Sequence, residues 1–215
     1  MKIALIGSHC VGKTTLIEPV SKALNLPVIP EAARDWCDRH RYDNISKVEN
    51  VDAMQWDILH AQIAQESNHD QFISDRSTLD GIAYFVEFGL THKPNDYKAM
   101  ALAHAKRTYD LLFFIPIQEK ISLVDDGFRY EDLQARKRIE DLILATTTMA
   151  QLDPFTIQLD TLSVEDRVQE IVKACEYWRR IRKSDRRLAS FSTVVWSKKQ
   201  KTQYSENNPS VSLRP

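Results

Sequence analysis

The residues from Gly7 to Thr14 carry the pattern with the clearest chemistry in this chain. They fit G-x-x-x-x-G-K-[ST] without a mismatch and read Gly7-Ser8-His9-Cys10-Val11-Gly12-Lys13-Thr14. Glycines at these places let the backbone turn tightly and approach phosphates, and consecutive N–H groups form an anion nest at a helix N-terminus. We expect Lys13 to reach the β- and γ-phosphates and the Thr14 hydroxyl to bind Mg²⁺. The pattern therefore predicts a P-loop that binds ATP with Mg²⁺.

The segments around this loop predict how it is held. The apolar run Ile3 to Ile6 predicts a buried strand before the loop, and helical spacing follows from Lys13 to Leu24, where Pro19 is expected to introduce a kink. Four further strands are predicted at 26–30, 72–75, 111–115 and 155–159. The other helical patterns cover 48–66, 79–88, 95–108, 131–150 and 164–178. This alternation predicts an α/β fold with a doubly wound five-stranded parallel sheet, which binds ligands at the carboxyl ends of its strands.

Composition narrows the class of protein. The chain has 215 residues, 43% of them hydrophobic and 27% charged, as in a soluble globular domain. Its three widely spaced cysteines predict neither a disulfide framework nor a zinc site, and its six histidines show no metal-ligand spacing. The longest apolar run, Leu111 to Ile117, is far shorter than a membrane span. We therefore expect a cytoplasmic protein without membrane insertion.

Charge divides the chain into two parts. Residues 179–215 contain ten Lys or Arg and two acids, a net charge of +8, so residues 1–178 carry −9 of the total of −1. The basic part is also rich in Ser, Asn and Pro towards its end, which predicts a flexible tail. We expect a P-loop domain over 1–178 and a basic tail over 179–215. Such a tail either contacts an acidic partner such as DNA or keeps the protein soluble.

Three stretches together resemble a known family. They are the P-loop, Pro30-Glu31-Ala32-Ala33-Arg34-Asp35, and Ile73-Ser74-Asp75-Arg76-Ser77. The chain looks like the P-loop nucleoside and nucleotide kinases, in the branch that contains ribosylnicotinamide kinases and related phage and bacterial AAA-type ATPases. This resemblance covers roughly residues 1–178 and implies a P-loop NTPase fold with a small lid.

The resemblance also implies roles at the strand ends. Glu31 would face the acceptor hydroxyl as a general base, while the alternative is a glutamate that stabilises a helix N-terminus. Arg34 would hold a substrate phosphate or sugar, unless it faces solvent. Asp75 would bind Mg²⁺ and Arg76 would contact the substrate or the phosphates. The alternative for Asp75 is a cap on the next helix.

A mobile lid is implied over Asp125 to Arg129, whose arginine would neutralise charge on the transferring phosphoryl group. Arg136 lies seven residues further and would share a helix face with Arg129, although an ordinary charged helix fits the same residues. The resemblance implies that the loop from Asp160 to Leu162 encloses the adenine. The implied nucleotide-binding set consists of Gly7, Ser8, His9, Cys10, Val11, Gly12, Lys13, Thr14, Thr15 and Arg136, with Lys13, Glu31, Asp75 and Arg129 as the catalytic residues.

The sequence leaves the identity of the phosphoryl acceptor open. It is a free nucleoside or nucleotide, a hydroxyl within DNA, or another small molecule. Similar phage kinases phosphorylate 5-hydroxymethyluracil within DNA, and the basic tail would suit that substrate. An ATPase without a phosphoryl acceptor is a further alternative. A GTPase is disfavoured because the chain has no Asn-Lys-x-Asp motif.

Overall fold

Five parallel strands form one sheet at the centre of the computed structural model, in the order β2-β3-β1-β4-β5. The central strand β1 and its neighbour β4 come from the apolar runs of the sequence, and nearly all of their side chains are buried because helices cover both faces. The strands are β1 Lys2–Ile6, β2 Val28–Ile29, β3 Phe72–Asp75, β4 Leu111–Phe114 and β5 Thr156–Gln158. The doubly wound parallel sheet predicted from the sequence is confirmed.

Seven α-helices connect and flank the strands within the part of the chain that the structure describes, which is residues 1–43, 45–90, 96–118, 133–161 and 163–184. They are α1 Lys13–Leu24, α2 Ala32–His40, α3 Val51–Ser67, α4 Thr78–Glu87, α5 Asp96–Thr108, α6 Leu133–Met149 and α7 Val164–Ser184. Two short 3₁₀ turns lie at Ile45–Lys47 and Asp153–Phe155. None of the helices in these ranges combines the length and the apolar character that a membrane span requires.

The register of the central strands decides which residues meet at the carboxyl edge. Leu5 of β1 pairs with Asp75 of β3, and Ile6 pairs with Phe114 of β4. The loop that leaves β1 therefore begins beside the end of β3. This register places the predicted P-loop next to the Asp75-Arg76 pair, although 61 residues separate Thr14 from Asp75 in the sequence.

Three helices differ from the sequence-based expectation, and the first of them, α2, was not among the predicted helical segments. Helix α7 was predicted to end at Trp178, but it continues to Ser184, because Ile181 still packs against the core and Arg182 pairs with Asp110. Helix α1 runs without interruption over its predicted range and includes Pro19. The proline is exposed, so the backbone carbonyl that it leaves without an N–H partner can be hydrated.

Gly81 stands in the middle of helix α4, where glycine is about 1 kcal/mol less favourable than alanine. A Cβ atom at this position would lie 2.8 Å from the Tyr97 hydroxyl, which is buried and finds no hydrogen-bond partner among the residues that the structure describes. We expect Gly81→Ala to lower the free energy of unfolding by about 1–3 kcal/mol because this contact is too close. In a Tyr97→Phe background the same substitution should stabilise the protein instead, since the oxygen is gone. Urea denaturation of the four proteins of this double-mutant cycle measures both effects, and equal effects in the two backgrounds would contradict the steric explanation.

Candidate active site

The loop between β1 and α1 has the backbone geometry of an anion nest. Gly7, Cys10 and Gly12 have φ angles of 144°, 55° and 87°, and helix α1 begins directly afterwards at Lys13. A Cβ at Gly7 would also lie 2.5 Å from the backbone oxygen of Ile115, so glycine is needed for both its conformation and its size. The loop can therefore present successive N–H groups at a helix N-terminus.

Lys13 lies inside this loop. Its Nζ donates to the Gly7 carbonyl oxygen at 2.9 Å and to the Ser8 carbonyl oxygen, and the side chain is buried. Burial, together with the nearby Arg76, lowers the pKa of Lys13 to about 7, while the carboxylates of Asp75, Asp80 and Glu31 oppose the shift. A bound polyphosphate would favour the charged amine, so its binding is coupled to protonation of this lysine.

Thr14 and Asp75 meet at the end of the sheet. The Thr14 hydroxyl donates to Asp75 Oδ2 at 2.7 Å, and the buried Asp75 Oδ1 has no hydrogen-bond partner in the described part of the chain. A hydroxyl and a carboxylate beside a phosphate-binding loop are hard oxygen ligands of the kind that Mg²⁺ takes together with nucleotide phosphates. The residues present therefore fit a magnesium ion held jointly with a nucleotide.

Glu31 and Arg76 form a buried ion pair beside the loop. Arg76 Nε donates to Glu31 Oε1 at 2.6 Å, and its Nη1 donates to the Gly7 carbonyl oxygen at 3.3 Å. Burial opposes charging of the guanidinium, but Glu31 and Asp80 hold the pKa of Arg76 above its usual value. Arg76 has a φ of 83°, a strained conformation for a non-glycine residue that is common at functional sites. One arginine thus connects the phosphate loop to the predicted general base.

Asp80 fixes the geometry of this corner. Its carboxylate accepts hydrogen bonds from the Gly7 N–H at 3.2 Å and from the Ser77 N–H at 2.9 Å, and it lies 3.5 Å from Arg76 Nη1. Ser77 and Asp80 form the capping box of α4, so Ser77 rather than Asp75 is the cap of this helix. The sequence predicted no clear role for Asp80, although the Ser-x-x-Asp spacing before an apolar run indicates such a box.

A cavity opens next to the Glu31–Arg76 pair, between α2, α3 and α4. Its volume is about 40 Å³, and it is partly open to solvent. Gln55 is buried in its wall, and the buried Tyr84 hydroxyl has no hydrogen-bond partner among the described residues. The lining residues are Glu31, Ala32, Ala33, Ile45, Gln55, Ile58, Gln62, Arg76, Ser77, Gly81 and Tyr84. The arrangement places a carboxylate between a ligand cavity and a phosphate loop.

The sequence comparison identifies the family. A protein-family model described as an AAA domain matches residues 2–167. The chain belongs to this AAA domain family. The match runs from β1 into the first turn of α7 and so includes the P-loop, the Glu31–Arg76 pair and the cavity. No curated protein sequence matches the chain with significance.

Solved structures share the fold of this AAA domain. The NadR protein in complex with NR has a TM-score of 0.62 and 20% sequence identity, covering 82% of this chain and 50% of that chain. The chain thus spans about half the length of NadR. Deoxyadenosine kinase from M. mycoides has a TM-score of 0.60 and 20% identity, covering 82% of this chain and all of that one. Thymidylate kinase from Candida albicans has a TM-score of 0.62 and 17% identity, covering 82% and 91%. The AAA domain therefore has the fold of the P-loop nucleoside and nucleotide kinases.

Three predicted site residues do not lie in the site as expected, or cannot be placed. Arg34 is exposed and does not line the cavity, because helix α2 turns it towards the surface. Arg129 and the predicted lid over Asp125 to Arg129 fall outside the described residues. Arg136 is buried beside the P-loop, where its Nε and Nη2 donate to the backbone oxygens of His9 and Cys10 at 3.1 and 2.9 Å. Its predicted contact with the nucleotide stays a prediction.

Arg167 is a site residue that sequence reasoning missed. It lies in the first turn of α7, and its Nη1 donates to the Val11 carbonyl oxygen of the P-loop at 3.3 Å. Nothing in the local sequence distinguishes it from other arginines, because Arg167 is 156 residues away from the loop that it contacts. Only the packing of α7 against α1 brings the two together.

Proposed function

We propose that this AAA domain is an ATP-dependent kinase that transfers a phosphoryl group to a hydroxyl of a nucleoside-type acceptor. One observation carries the proposal: the Glu31 carboxylate lies between a ligand cavity and a complete P-loop, and Arg76 links it to that loop. An enzyme that only hydrolyses ATP has no need for an acceptor cavity at this position. The nucleoside and nucleotide kinases among the similar folds support the same activity.

The side chains around the P-loop have separate roles in this mechanism. The N–H groups of the loop and the Lys13 ammonium hold the β- and γ-phosphates, and Thr14 and Asp75 would hold a magnesium ion there. Magnesium, when bound, supplies positive charge to the phosphate oxygens. Glu31 accepts the proton of the acceptor hydroxyl as that oxygen attacks the γ-phosphorus, and Arg76 keeps the carboxylate oriented. The bond between the γ-phosphorus and the β,γ-bridging oxygen breaks, and ADP leaves with its electron pair. Positioning and electrostatics supply nearly all of the acceleration.

The cavity favours an acceptor without a phosphate group. Arg76 is the one basic side chain among its described lining residues, and it is already engaged by Glu31 and Asp80. A nucleoside monophosphate would bring a dianion that needs cations of its own. A neutral nucleoside needs apolar walls and a few polar groups, which Ile45, Ile58 and the amide of Gln55 provide.

A hydroxyl within DNA is not favoured by any specific contact in the structure. The DNA hypothesis rests on the basic tail, and residues 185–215 fall outside the described part of the chain. At the beginning of the tail, Arg179 donates to the Leu24 carbonyl oxygen and Arg182 pairs with Asp110, so these two side chains serve the fold. DNA is therefore included among the acceptors to be assayed and is not a second proposal.

The test is a transfer assay with the full-length chain, Mg²⁺ and ATP labelled on its γ-phosphate. Its arms are nucleosides, nucleoside monophosphates, DNA with hydroxymethylated pyrimidines, and no acceptor. We expect label to appear in a nucleoside. Label confined to monophosphates or to DNA would overturn the acceptor class, and equal ATP turnover without any acceptor would overturn the kinase assignment.

A further inference from the structure

Three consecutive carbonyls of the P-loop are bound by two arginines from different helices. Arg136 of α6 binds the His9 and Cys10 oxygens, and Arg167 of α7 binds the Val11 oxygen. In a trans peptide unit the C=O and the following N–H point in opposite directions. Holding these carbonyls towards the arginines therefore turns the next three N–H groups to the opposite side of the backbone.

Arg167 also ties the loop to a second segment. Its Nε donates to the Thr161 carbonyl oxygen at 2.7 Å, so one guanidinium spans Val11 in the P-loop and Thr161 after β5. Its Nη2 is buried and has no hydrogen-bond partner within the described ranges. A Cβ at Gly12 would lie 3.7 Å from Arg167 Nη1, so the guanidinium packs directly against the last turn of the loop.

The two guanidiniums bring buried positive charge to the loop. Within the described residues neither forms an ion pair with a carboxylate, and their hydrogen bonds go to backbone oxygens. Burial lowers the pKa of both arginines, which is the cost of placing these cations away from water. A bound anion on the far side of the loop would offset that cost.

We propose that Arg167, acting together with Arg136, is a positioning residue for the triphosphate of the donor nucleotide. The two side chains fix the carbonyls of residues 9–11 and thereby aim the N–H groups of Cys10, Val11 and Gly12 at the phosphates. A nest that is already ordered loses less entropy on binding, so the arginines raise affinity for triphosphate without touching it. This inference rests on the nucleotide-binding part of the proposed function and is independent of the acceptor.

The experiment compares Arg167→Gln, Arg167→Lys and the unchanged chain by calorimetry with two probes, ATP and inorganic triphosphate. We expect Arg167→Gln to weaken both probes about tenfold, because a charge-assisted hydrogen bond to the loop is lost. Arg167→Lys keeps the charge but cannot span two carbonyls. Its affinity for each probe should therefore lie between those of Arg167→Gln and the unchanged chain. Steady-state assays should show a higher KM for ATP, with kcat and the acceptor KM changed less than about twofold.

Arg180→Gln is the matched control, because Arg180 is an exposed arginine of the same helix that contacts the Tyr177 ring. It should leave both affinities unchanged. Loss of ATP affinity without loss of triphosphate affinity would overturn the proposal, since Arg167 would then act on the nucleoside part. A lower Tm with unchanged affinities would also overturn it and leave a purely structural role. Binding is measured without an acceptor, so failure of the kinase assignment would not be confused with failure of this inference.

Discussion

Replacing Glu31 with glutamine is expected to lower kcat by about 10²–10⁴-fold, the usual contribution of a general base. The amide oxygen of glutamine can still accept the hydrogen bond from Arg76 Nε, so the shape of the site is retained. What the variant loses is the ability to take the proton from the acceptor hydroxyl. The KM for ATP should change less than about twofold, because Glu31 lies on the acceptor side of the loop.

Asp38→Asn is the control for this variant, since Asp38 is an exposed carboxylate of the same helix α2. It removes one negative charge without touching the cavity and should leave kcat unchanged. The measurement is kcat of the two variants and of the unchanged chain, taken at saturating acceptor between pH 5 and pH 9. A Glu31→Gln enzyme with nearly unchanged kcat would show that Glu31 serves only to orient Arg76.

Replacing Lys13 with alanine is expected to abolish most phosphoryl transfer, by about 10²–10³-fold or more, because a preorganised cation at the phosphates is lost. The same lysine makes ATP binding pH-dependent. Its pKa of about 7 leaves it mostly neutral at pH 8, and the bound triphosphate favours the charged form. ATP binding at pH 8 should therefore take up close to one proton, and affinity should fall as pH rises above 7.

Calorimetry in two buffers of different ionisation enthalpy measures this proton uptake, and Lys13→Ala should remove it. The sign for folding is also fixed: between the folded pKa of about 7 and the ordinary lysine pKa of 10.5, the unfolded chain binds more protons at Lys13. The contribution of this lysine to the free energy of unfolding thus rises with pH across that range. Lys22→Ala is the control, since Lys22 is exposed on the same helix and pairs with Glu18. Undiminished turnover in Lys13→Ala would rule out the mechanism.

The fold was largely predictable because its signals are local. The apolar runs of β1 and β4 and the P-loop pattern each occupy fewer than ten consecutive residues, and the bounds of α1 were predicted correctly. The end of α7 was not, because the chain becomes basic after Trp178 while Ile181 still finds an apolar partner. Charge composition is a poor guide to the end of a helix when one face of that helix remains buried.

The site was predictable only in part, because local patterns can be read from the sequence but contacts between distant segments cannot. Thr14 was assigned to Mg²⁺ from the P-loop pattern and Asp75 from the family resemblance, and the structure places the two side chains in hydrogen-bond contact. The contacts of Asp80 and Arg167 with the loop depend on packing between distant segments, which no local pattern encodes. Arg34 was expected in the site because of its sequence neighbours, but the direction of a helical side chain is decided by the rotation of the helix.

The sheet also has consequences for how this protein meets others. Its two outer strands, β2 and β5, have only two and three residues, whereas the inner strands have four or five. A foreign strand docking at either border would gain few main-chain hydrogen bonds, which protects the fold against edge-to-edge aggregation. Within the described residues the sheet therefore offers a partner little strand edge to extend, which favours contacts through side chains of helices or loops.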